Sequence, residues 1–226
     1  MRKLLLFSLL CMLLPVAAAA APEGACDGVT VGAADTAAYF PLLRGRRVAV
    51  LANQTSRVGD EHLVDLLHRS GVRLTAIFSP EHGFRGTADA GEHVASSVDE
   101  RTGVLIRSLY DGRTRRPSDE AMRSFDVLLV DMQDVGLRFY TYYISMLRMM
   151  DACADFGRAV VVLDRPNPNG SYIDGPVLDM KYKSGVGALP IPVVHGLTMG
   201  EIARMAVGEG LSLIHISEPT RLRCIS

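Results

Sequence analysis

An alternation of short apolar runs with helical patterns constrains the fold of this chain more than any other feature. Each run is rich in Val, Leu and Ile and has the length of a buried strand. Strands that are apolar throughout and separated by helices are typical of a parallel sheet covered on both faces. We therefore predict an α/β fold with a doubly wound, mostly parallel sheet. The predicted strands are 48–52, 74–78, 104–109, 127–130 and 159–163.

Capping residues mark where two of the intervening helices begin. Ser118 precedes a short helix that ends near residue 123, and Thr198 precedes a last helix that ends near residue 206. Glu201 stands three residues after Thr198, as in a capping box. Two further helices are predicted at 61–69 and 139–156.

The first residues have the pattern of a secretory signal peptide. A basic pair precedes the apolar run 4–16, which is shorter than the about 20 residues that a membrane-spanning helix needs. Small residues follow and satisfy the A-x-A pattern for cleavage after Ala20. No small residue stands directly before Cys11, so a lipid anchor is not expected. We predict that residues 1–20 are a signal peptide and that the protein is exported, to the periplasm or the cell exterior.

The last residues read LSLIHISEPTRLRCIS. Their segment 211–221 looks like the translation of a transposase adapter used in sequencing libraries. Our hypothesis is that 211–226 are a sequencing artefact, which leaves 21–210 as the native part of the chain. A natural tail is the alternative, and native DNA that continues unchanged through these codons would rule the hypothesis out.

Charge and cysteine content argue against several classes of function. Residues 21–210 contain 20 Lys and Arg against 24 Asp and Glu, so the net charge gives no argument for binding nucleic acid or an anionic membrane. Cys26 and Cys153 remain in this part; export permits a disulfide between them, and a buried, unpaired Cys153 is the alternative. No spacing resembles a zinc site, and the chain lacks G-x-G-x-x-G, a Walker phosphate loop and a G-x-S-x-G elbow. Neither a metal nor a cofactor is predicted.

Polar residues cluster directly after the predicted strands. In open parallel sheets the ligand crevice lies at the carboxyl ends of the strands. One such cluster could be a capping turn, but four together predict a site at one edge of the sheet. The clusters contain Asn53, Gln54 and Thr55 after strand 48–52, Glu81 and His82 after strand 74–78, Asp131, Gln133, Asp134, Arg138, Tyr140 and Tyr142 after strand 127–130, and Asp164, Arg165 and Asn167 after strand 159–163.

Some of these polar residues have a structural alternative, which the sequence leaves open. Asn53 and Thr55 could cap the following turn. Asp164 and Asn167 could accept hydrogen bonds from loop amides. His195 could be a structural residue of its loop or part of the site.

Other charged residues receive no role or a minor one. His62 and His68 lie in the predicted helix 61–69 and are expected to be mostly solvated. The arginine run that ends at Arg116 is either a solvated loop or an anion-binding site.

Glu81 is the strongest candidate for catalysis. Its Pro-Glu-His-Gly setting fixes the preceding turn and places a carboxyl at a strand end. A glycosidase needs a carboxylic acid to protonate the leaving oxygen, and often a second carboxylate as base or nucleophile. Asp131, Asp134 and Asp164 are possible partners, and their separations from Glu81 would decide between retention and inversion.

Eight ordered blocks of the chain resemble the exo-β-N-acetylmuramidases, a bacterial glycoside hydrolase family long classed as a domain of unknown function. Together the blocks span nearly all of the native part. They are LANQTS (51–56), FSPEHGFRG (78–86), ADAGEHVASSVD (88–99), LYDGRTRRP (109–117), VDMQDVGLRFYTY (130–142), VLDRPNPNG (162–170), GPVLD (175–179) and HGLTMGE (195–201).

The resemblance implies release of N-acetylmuramic acid from the non-reducing ends of peptidoglycan fragments, with MurNAc-GlcNAc saccharides as substrates. It also implies a Rossmann-like catalytic domain, here 21–210, followed by a smaller C-terminal domain that this chain lacks. Without that domain, apolar surface is expected to be exposed. Glu81 matches the position where the family's catalytic acid is expected.

N-acetylmuramic acid carries a lactyl carboxylate, so an arginine in the cleft would have a physical purpose. Arg138 is the first candidate, and Arg116 and Arg165 follow. Catalytic roles are therefore expected for Glu81, His82, Asp131, Asp134 and Asp164, and substrate-binding roles for Asn53, Gln54, Gln133, Arg138, Tyr140, Tyr142, Arg165, Asn167, Arg116 and His195.

Two other functions remain open at this point. One is a non-catalytic protein that binds amino sugars or muropeptides, since binding proteins also use carboxylates on sugar hydroxyls. The other is a hydrolase that acts on a related amino sugar or an ester. Substrate profiling separates these possibilities, because a binding protein shows affinity without turnover.

Overall fold

A computed structural model describes residues 29–80, 84–85, 97–109, 116–212 and 222–225. The strands are β1 Val48–Ala52, β2 Arg57–Val58, β3 Glu61–His62, β4 Leu74–Ser79, β5 Ser97–Val98, β6 Leu105–Ser108, β7 Val127–Asp131, β8 Ala159–Leu163 and β9 Leu222–Ile225. The α-helices are α1 Thr36–Leu43, α2 Leu63–Arg69, α3 Asp119–Arg123, α4 Tyr142–Asp155 and α5 Met199–Gly208. Two short 3₁₀ helices lie at Gly32–Ala34 and Met180–Tyr182.

Seven of these strands form one sheet, in the order β5-β6-β4-β1-β7-β8-β9. Within it β5 runs antiparallel to β6, and the other neighbours are parallel. Counted along the chain, the parallel strands have the spatial order third, second, first, fourth, fifth, sixth, which is that of doubly wound Rossmann folds. The prediction of a Rossmann-like, mostly parallel sheet is confirmed.

Each face of the sheet supports its own apolar core, because alternate side chains of a strand point to opposite faces. On one face Leu51, Phe78 and Val130 pack with helices α3, α4 and α5. On the other face Val50 and Ile77 pack with α1 and α2. Strands β1 and β7 are buried along their whole length, which explains why they are apolar runs without alternation.

The predicted element bounds agree closely with the structure for the central strands. The runs 48–52 and 159–163 coincide with β1 and β8, and the helix predicted at 139–156 forms as α4. Gly157 follows α4 with φ +62°, a conformation that favours glycine at a helix end. Thr198 and Glu201 make the expected capping box at the start of α5.

Helix α1 and the small antiparallel pair β2–β3 were not predicted. Pro41 lies inside α1, and proline usually marks a break in a helical pattern. The pair β2–β3 has two residues in each strand, too few to show a period. Both elements therefore lack the sequence signal on which the prediction depends.

Strand β9 lies within the segment 211–226 that the sequence analysis assigns to an artefact. It pairs in parallel with β8, with Val160 opposite Leu222. The backbone N–H of Asp164 donates to the carbonyl of Ile225 at 2.7 Å, which extends this pairing by one residue. No helix among the described residues is long and apolar enough to cross a membrane.

Candidate active site

The topology places a crevice between β1 and β7. These strands are neighbours in the centre of the sheet, and the chain leaves them in opposite directions along it. Such a switch point is where ligands bind in open α/β sheets. Three of the four predicted polar segments, those that follow β1, β7 and β8, meet here.

The turn after β1 is tied to the end of β7 through hydroxyl groups. Asn53 Oδ1 accepts hydrogen bonds from the backbone N–H of Thr55 at 2.9 Å and from its hydroxyl at 2.6 Å. Thr55 Oγ1 in turn accepts from the backbone N–H of Gln133 at 2.9 Å. The Ser56 hydroxyl donates to the carbonyl of Asp131. Asn53 thus stabilises its own turn, and the hydroxyls of Thr55 and Ser56 bind this turn to the end of β7.

His62 is buried behind this turn, so the prediction that it is solvated is wrong. Its Nδ1 accepts from the backbone N–H of Val64 at 3.2 Å and caps α2. Its Nε2 lies 2.9 Å from the carbonyl oxygen of Asn53 and can donate to it. Burial lowers the pKa of His62, which keeps the ring neutral in this role. His68, in the last turn of α2, is exposed as expected.

Asp131 and Arg165 form a buried ion pair beneath the crevice. Arg165 Nε donates to Asp131 Oδ1 at 2.6 Å, and Nη2 donates to Oδ2 at 2.9 Å. Burial raises the pKa of Asp131, and the guanidinium opposes that change. Arg165 Nη2 also donates to the carbonyl of Arg57 at 2.8 Å, so the pair fixes the backbone of the β1 turn.

Asp164 is occupied by the start of α5. Its Oδ2 accepts from the Thr198 hydroxyl at 2.6 Å, and its Oδ1 accepts from the backbone N–H groups of Gly200 at 2.8 Å and Arg165 at 3.0 Å. A Cβ added to Gly200 would lie 2.5 Å from Asp164 Oδ2, so only glycine permits this approach. This geometry corresponds to the structural alternative that the sequence left open for Asp164.

Asp134 differs from the other two aspartates because one of its oxygens has no hydrogen-bond partner in the described part of the chain. Oδ1 accepts from the backbone N–H of Gly136 at 2.7 Å. Oδ2 is buried and makes no hydrogen bond with the described residues. Burial raises the pKa of the Asp134 carboxyl to about 6, although the amides of Gly136 and Val135 act in the opposite direction. Perturbed carboxyls of this kind are concentrated at functional sites.

Amide side chains hold the loops around Asp134. Gln133 Nε2 donates to the carbonyls of Asp134 at 2.7 Å and Pro166 at 2.8 Å. Asn167 Oδ1 accepts from the backbone N–H of Asn169, and its Nδ2 donates to the carbonyl of Leu197 at 3.0 Å. Asn167 therefore satisfies loop backbone groups, which is again the structural alternative.

His195 lies in the same set of loops and is buried. Its Nδ1 accepts from the backbone N–H of Leu197 at 3.2 Å, and its Nε2 makes no hydrogen bond with the described residues. Burial lowers the pKa of His195, so the ring is neutral and its Nε2 carries the proton. The ring meets Tyr143 edge-on, with 6.5 Å between centroids.

Tyrosines and amides line the mouth of the crevice. Tyr140 and Tyr142 pack edge-to-face with centroids 4.9 Å apart. Burial raises the pKa of Tyr142 to about 12, while the neighbouring side chains of Gln54 and Asn53 act in the opposite direction. Asn53 Nδ2 lies beside Tyr142 but has no hydrogen bond of good geometry with the described residues. Gln54 is exposed, so this group presents amides and a phenol to a ligand.

The three arginines proposed for an anion have different surroundings. The guanidinium of Arg165 is bound to the carboxylate of Asp131 through Nε and Nη2, so its charge is already neutralised. Arg138 Nη1 donates to the carbonyls of Pro176 and Ile191, both at 2.7 Å, and so fastens two loop segments.

Arg116 is not brought to the crevice. It pairs with Asp155 at 2.6 Å, and Asp155 is the last residue of α4. The first residue of α4, Tyr142, lies at the crevice. A helix of 14 residues is about 20 Å long, so Arg116 lies toward the opposite edge of the sheet.

Glu81 and His82 lie outside the described residues. Of the described residues that flank them, Pro80 directly follows β4, and Phe84 packs on His62 with centroids 4.8 Å apart. Arg85 lines a cleft of about 810 Å³ that also contains Gln54 and Arg57. Among the described residues, no group of three or more His, Cys, Asp or Glu could hold a metal ion.

Sequence reasoning missed three residues of this region. Ser56 was quoted only within a motif, yet it joins β1 to β7. Tyr143 follows the predicted tyrosines and supports His195 from a buried position on α4. Arg57 lines the cleft, and the signal that could have identified it is its place directly after the Asn53–Ser56 turn.

The fold and the crevice define an α/β protein with a polar set of candidate binding groups at the switch point of a Rossmann-like sheet. Residues 48–223 match the family described as "Exo-beta-N-acetylmuramidase NamZ, N-terminal". The chain belongs to this family.

Relatives of known sequence and structure agree with that assignment. The chain is 45% identical over 170 residues to "Peptidoglycan beta-N-acetylmuramidase NamZ" of Bacillus subtilis (strain 168), a match that covers 74% of this chain and 41% of the relative. Two crystal structures of DUF1343 family proteins from Bacteroides fragilis NCTC 9343 superpose on it. One has 52% identity and a TM-score of 0.75, and covers 86% of this chain and 50% of the neighbour. The other has 36% identity and a TM-score of 0.77, and the match covers 87% of this chain and 49% of the neighbour. The chain thus spans about half the length of these relatives.

Proposed function

We propose that this chain is the cleft-bearing part of an exo-acting β-N-acetylmuramidase that releases N-acetylmuramic acid from the non-reducing ends of peptidoglycan fragments. The observation that carries the proposal is membership of the family together with a crevice built from the family's own motif residues. The Bacillus subtilis relative is named for this activity. The substrates would be MurNAc-GlcNAc saccharides, and no cofactor is needed for acid-assisted glycoside hydrolysis.

Glu81 is proposed as the general acid. A carboxylic acid must protonate the glycosidic oxygen as the bond to the sugar breaks. Glu81 is the carboxyl residue that follows β4 directly, and β4 is the neighbour of β1 in the sheet. The flanking residue Arg85 lines the cleft together with Gln54 and Arg57, which supports this assignment.

Asp134 is proposed as the carboxyl that assists Glu81. Asp131 is held by Arg165 through both oxygens, and Asp164 is held by the start of α5. Asp134 has one oxygen without a hydrogen bond to any described residue and a raised pKa of about 6, which suits a group that exchanges a proton near neutral pH. The structural contacts therefore favour Asp134 among the three candidates.

Export is part of the proposal, because peptidoglycan fragments are found outside the cytoplasmic membrane. The signal-peptide pattern of residues 1–20 supports a periplasmic or extracellular location. We propose no membrane anchor and no nucleic-acid partner.

The test is product analysis on a MurNAc-GlcNAc disaccharide. We expect free N-acetylmuramic acid and N-acetylglucosamine to appear in equal amounts, detected by mass spectrometry. The assay should use this chain and a chimera that continues into the second half of the Bacillus subtilis relative. If the folded chimera binds the disaccharide without cleaving it, the chain belongs to a saccharide-binding protein instead.

A further inference from the structure

Four arginines line the cleft of about 810 Å³ beside the crevice, and three of them are neutralised by carboxylates. Arg69 pairs with Glu61 at 2.9 Å. Arg85 pairs with Asp65 at 3.1 Å and with Asp99 at 2.8 Å, and Arg101 pairs with Asp65 at 3.1 Å.

The fourth, Arg57, has no carboxylate partner among the described residues. Its side chain donates to the backbone carbonyl of Asp60. The guanidinium has five N–H donors in a planar fork, so it can still bind a carboxylate through two of them. It is exposed, and it lines the cleft with Gln54.

The backbone of Arg57 is held firmly at the switch point. Its N–H donates to the carbonyl of Thr55 at 2.8 Å. Its carbonyl accepts from Arg165 Nη2 at 2.8 Å, and Arg165 is itself fixed by the buried pair with Asp131. A side chain that starts from so constrained a backbone is suited to a specificity role.

Other arginines near the crevice are less suited to a ligand. Arg165 is buried against Asp131, and Arg138 uses Nη1 to fasten the carbonyls of Pro176 and Ile191. Arg116 lies at the far end of α4.

We propose that Arg57 is the residue that selects a carboxylate-bearing amino sugar, by binding the lactyl carboxylate of N-acetylmuramic acid in a charge-assisted contact. This inference rests on the proposed muramidase activity and adds the origin of its preference for N-acetylmuramic acid over N-acetylglucosamine. Asp60 lines the same cleft, and its negative charge weakens the attraction of Arg57 for an anion. Replacing Asp60 should therefore strengthen the preference.

The experiment compares kcat/KM for chromogenic β-glycosides of N-acetylmuramic acid, its lactyl methyl ester and N-acetylglucosamine. The ester keeps the shape of the substrate and removes its charge. In the unmodified protein we expect esterification to lower kcat/KM by about 10- to 100-fold, the range for a lost charge-assisted hydrogen bond. In Arg57→Gln, kcat/KM for the acid glycoside should fall to the value for the ester. The substitution and the esterification remove the same interaction between Arg57 and the lactyl carboxylate.

Two further variants make the result specific to Arg57. Arg101→Gln changes a paired arginine of the same cleft that is 71% exposed, and it should leave the ratio of acid to ester unchanged. Arg57→Lys keeps the positive charge but loses the planar guanidinium, so it should retain part of the ratio of kcat/KM for acid over ester. This variant tests the role of Arg57 if Arg57→Gln does not fold.

The outcomes separate this inference from the proposed function. Equal kcat/KM for acid and ester in the unmodified protein, or an unchanged ratio in folded Arg57→Gln, would overturn the role of Arg57 and leave the muramidase intact. Absence of turnover on all three glycosides by the folded, chimeric protein would overturn the muramidase itself, and the role of Arg57 with it.

Discussion

At the scale of single residues, three aspartates that follow adjacent strands have three different environments. Asp131 is neutralised by a guanidinium, Asp164 is held by a hydroxyl and backbone amides, and Asp134 has a buried oxygen that no described residue contacts by a hydrogen bond. Their sequence contexts are similar, since each stands at or just after the end of an apolar strand. The partners come from distant parts of the chain, with 34 residues between Asp131 and Arg165 and also between Asp164 and Thr198.

The Asp131–Arg165 pair predicts a large loss of stability when one partner is removed. In Arg165→Met the Asp131 carboxylate stays buried without its cation, which should lower the free energy of unfolding by about 3–5 kcal/mol. The control is Arg123→Gln, which breaks the pair of Arg123 with Asp119 on the surface of α3, where both side chains are 65% exposed. Arg123→Gln should lower the free energy of unfolding by less than about 1 kcal/mol. Urea unfolding measures both, and similar losses in the two variants would contradict a buried, interdependent pair.

The raised pKa of Asp134 predicts a specific pH dependence. The folded-state pKa is about 6, above the ordinary value of 3.8, so the folded protein binds this proton more tightly than the unfolded chain. The stabilising contribution is complete below about pH 4 and is lost as the pH rises through 6, a change of about 3 kcal/mol. The difference in unfolding free energy between the unmodified protein and Asp134→Asn should vary with pH in this window.

A flat difference between pH 4 and 7 would mean that Asp134 titrates normally. If Asp134 assists Glu81, the same Asn variant should also lower kcat at pH 7 by about 100-fold or more. Asp119→Asn, a change of a 65% exposed aspartate on α3, should not lower kcat.

At the scale of elements, α5 depends on a contact between its first turn and the end of β8. Thr198 caps the helix, and its hydroxyl also donates to Asp164 at 2.6 Å. Thr198→Ala should therefore lower the free energy of unfolding by about 1–2 kcal/mol, at the upper end for a helix cap. Thr198→Ser keeps the hydroxyl, so its free energy of unfolding should fall much less than that of Thr198→Ala. Thermal unfolding of the two variants tests this, and equal losses would show that the methyl group matters rather than the hydrogen bonds.

The elements also show how far the sequence could predict this molecule. Strands β1, β7 and β8 were predictable because they are buried on both faces and apolar throughout. Helix α1 was not, since Pro41 interrupts its pattern. The position of the polar clusters followed from the sheet rule, whereas the environment of each carboxylate depended on tertiary contacts that no local pattern records. His62 illustrates this limit. Its place in a predicted helix suggested an exposed side chain, whereas the turn after β1 buries it through the contact with Asn53.

At the scale of the whole molecule, the binding groups lie at one edge of the sheet, and a long loop segment held to them exposes several large apolar side chains. In the long segment between β8 and α5, the large side chains of Ile173, Tyr182 and Val177 are 69%, 67% and 59% exposed. The same segment is held to the crevice loops by Arg138, through the carbonyls of Pro176 and Ile191. Single exposed apolar side chains are common on protein surfaces, so these three do not by themselves mark an interaction site.

The most direct test of the account is hydrolysis of a MurNAc-GlcNAc disaccharide, whose sugar leaving group must be protonated, by the unmodified protein and by Glu81→Gln, in this chain and in the chimera. Circular dichroism and thermal unfolding show whether each variant is folded. Removing the acid should lower kcat by about 100- to 10,000-fold, because protonation of the leaving oxygen is lost. A folded Glu81→Gln protein with nearly unchanged kcat would contradict the claim that Glu81 is the general acid of this site.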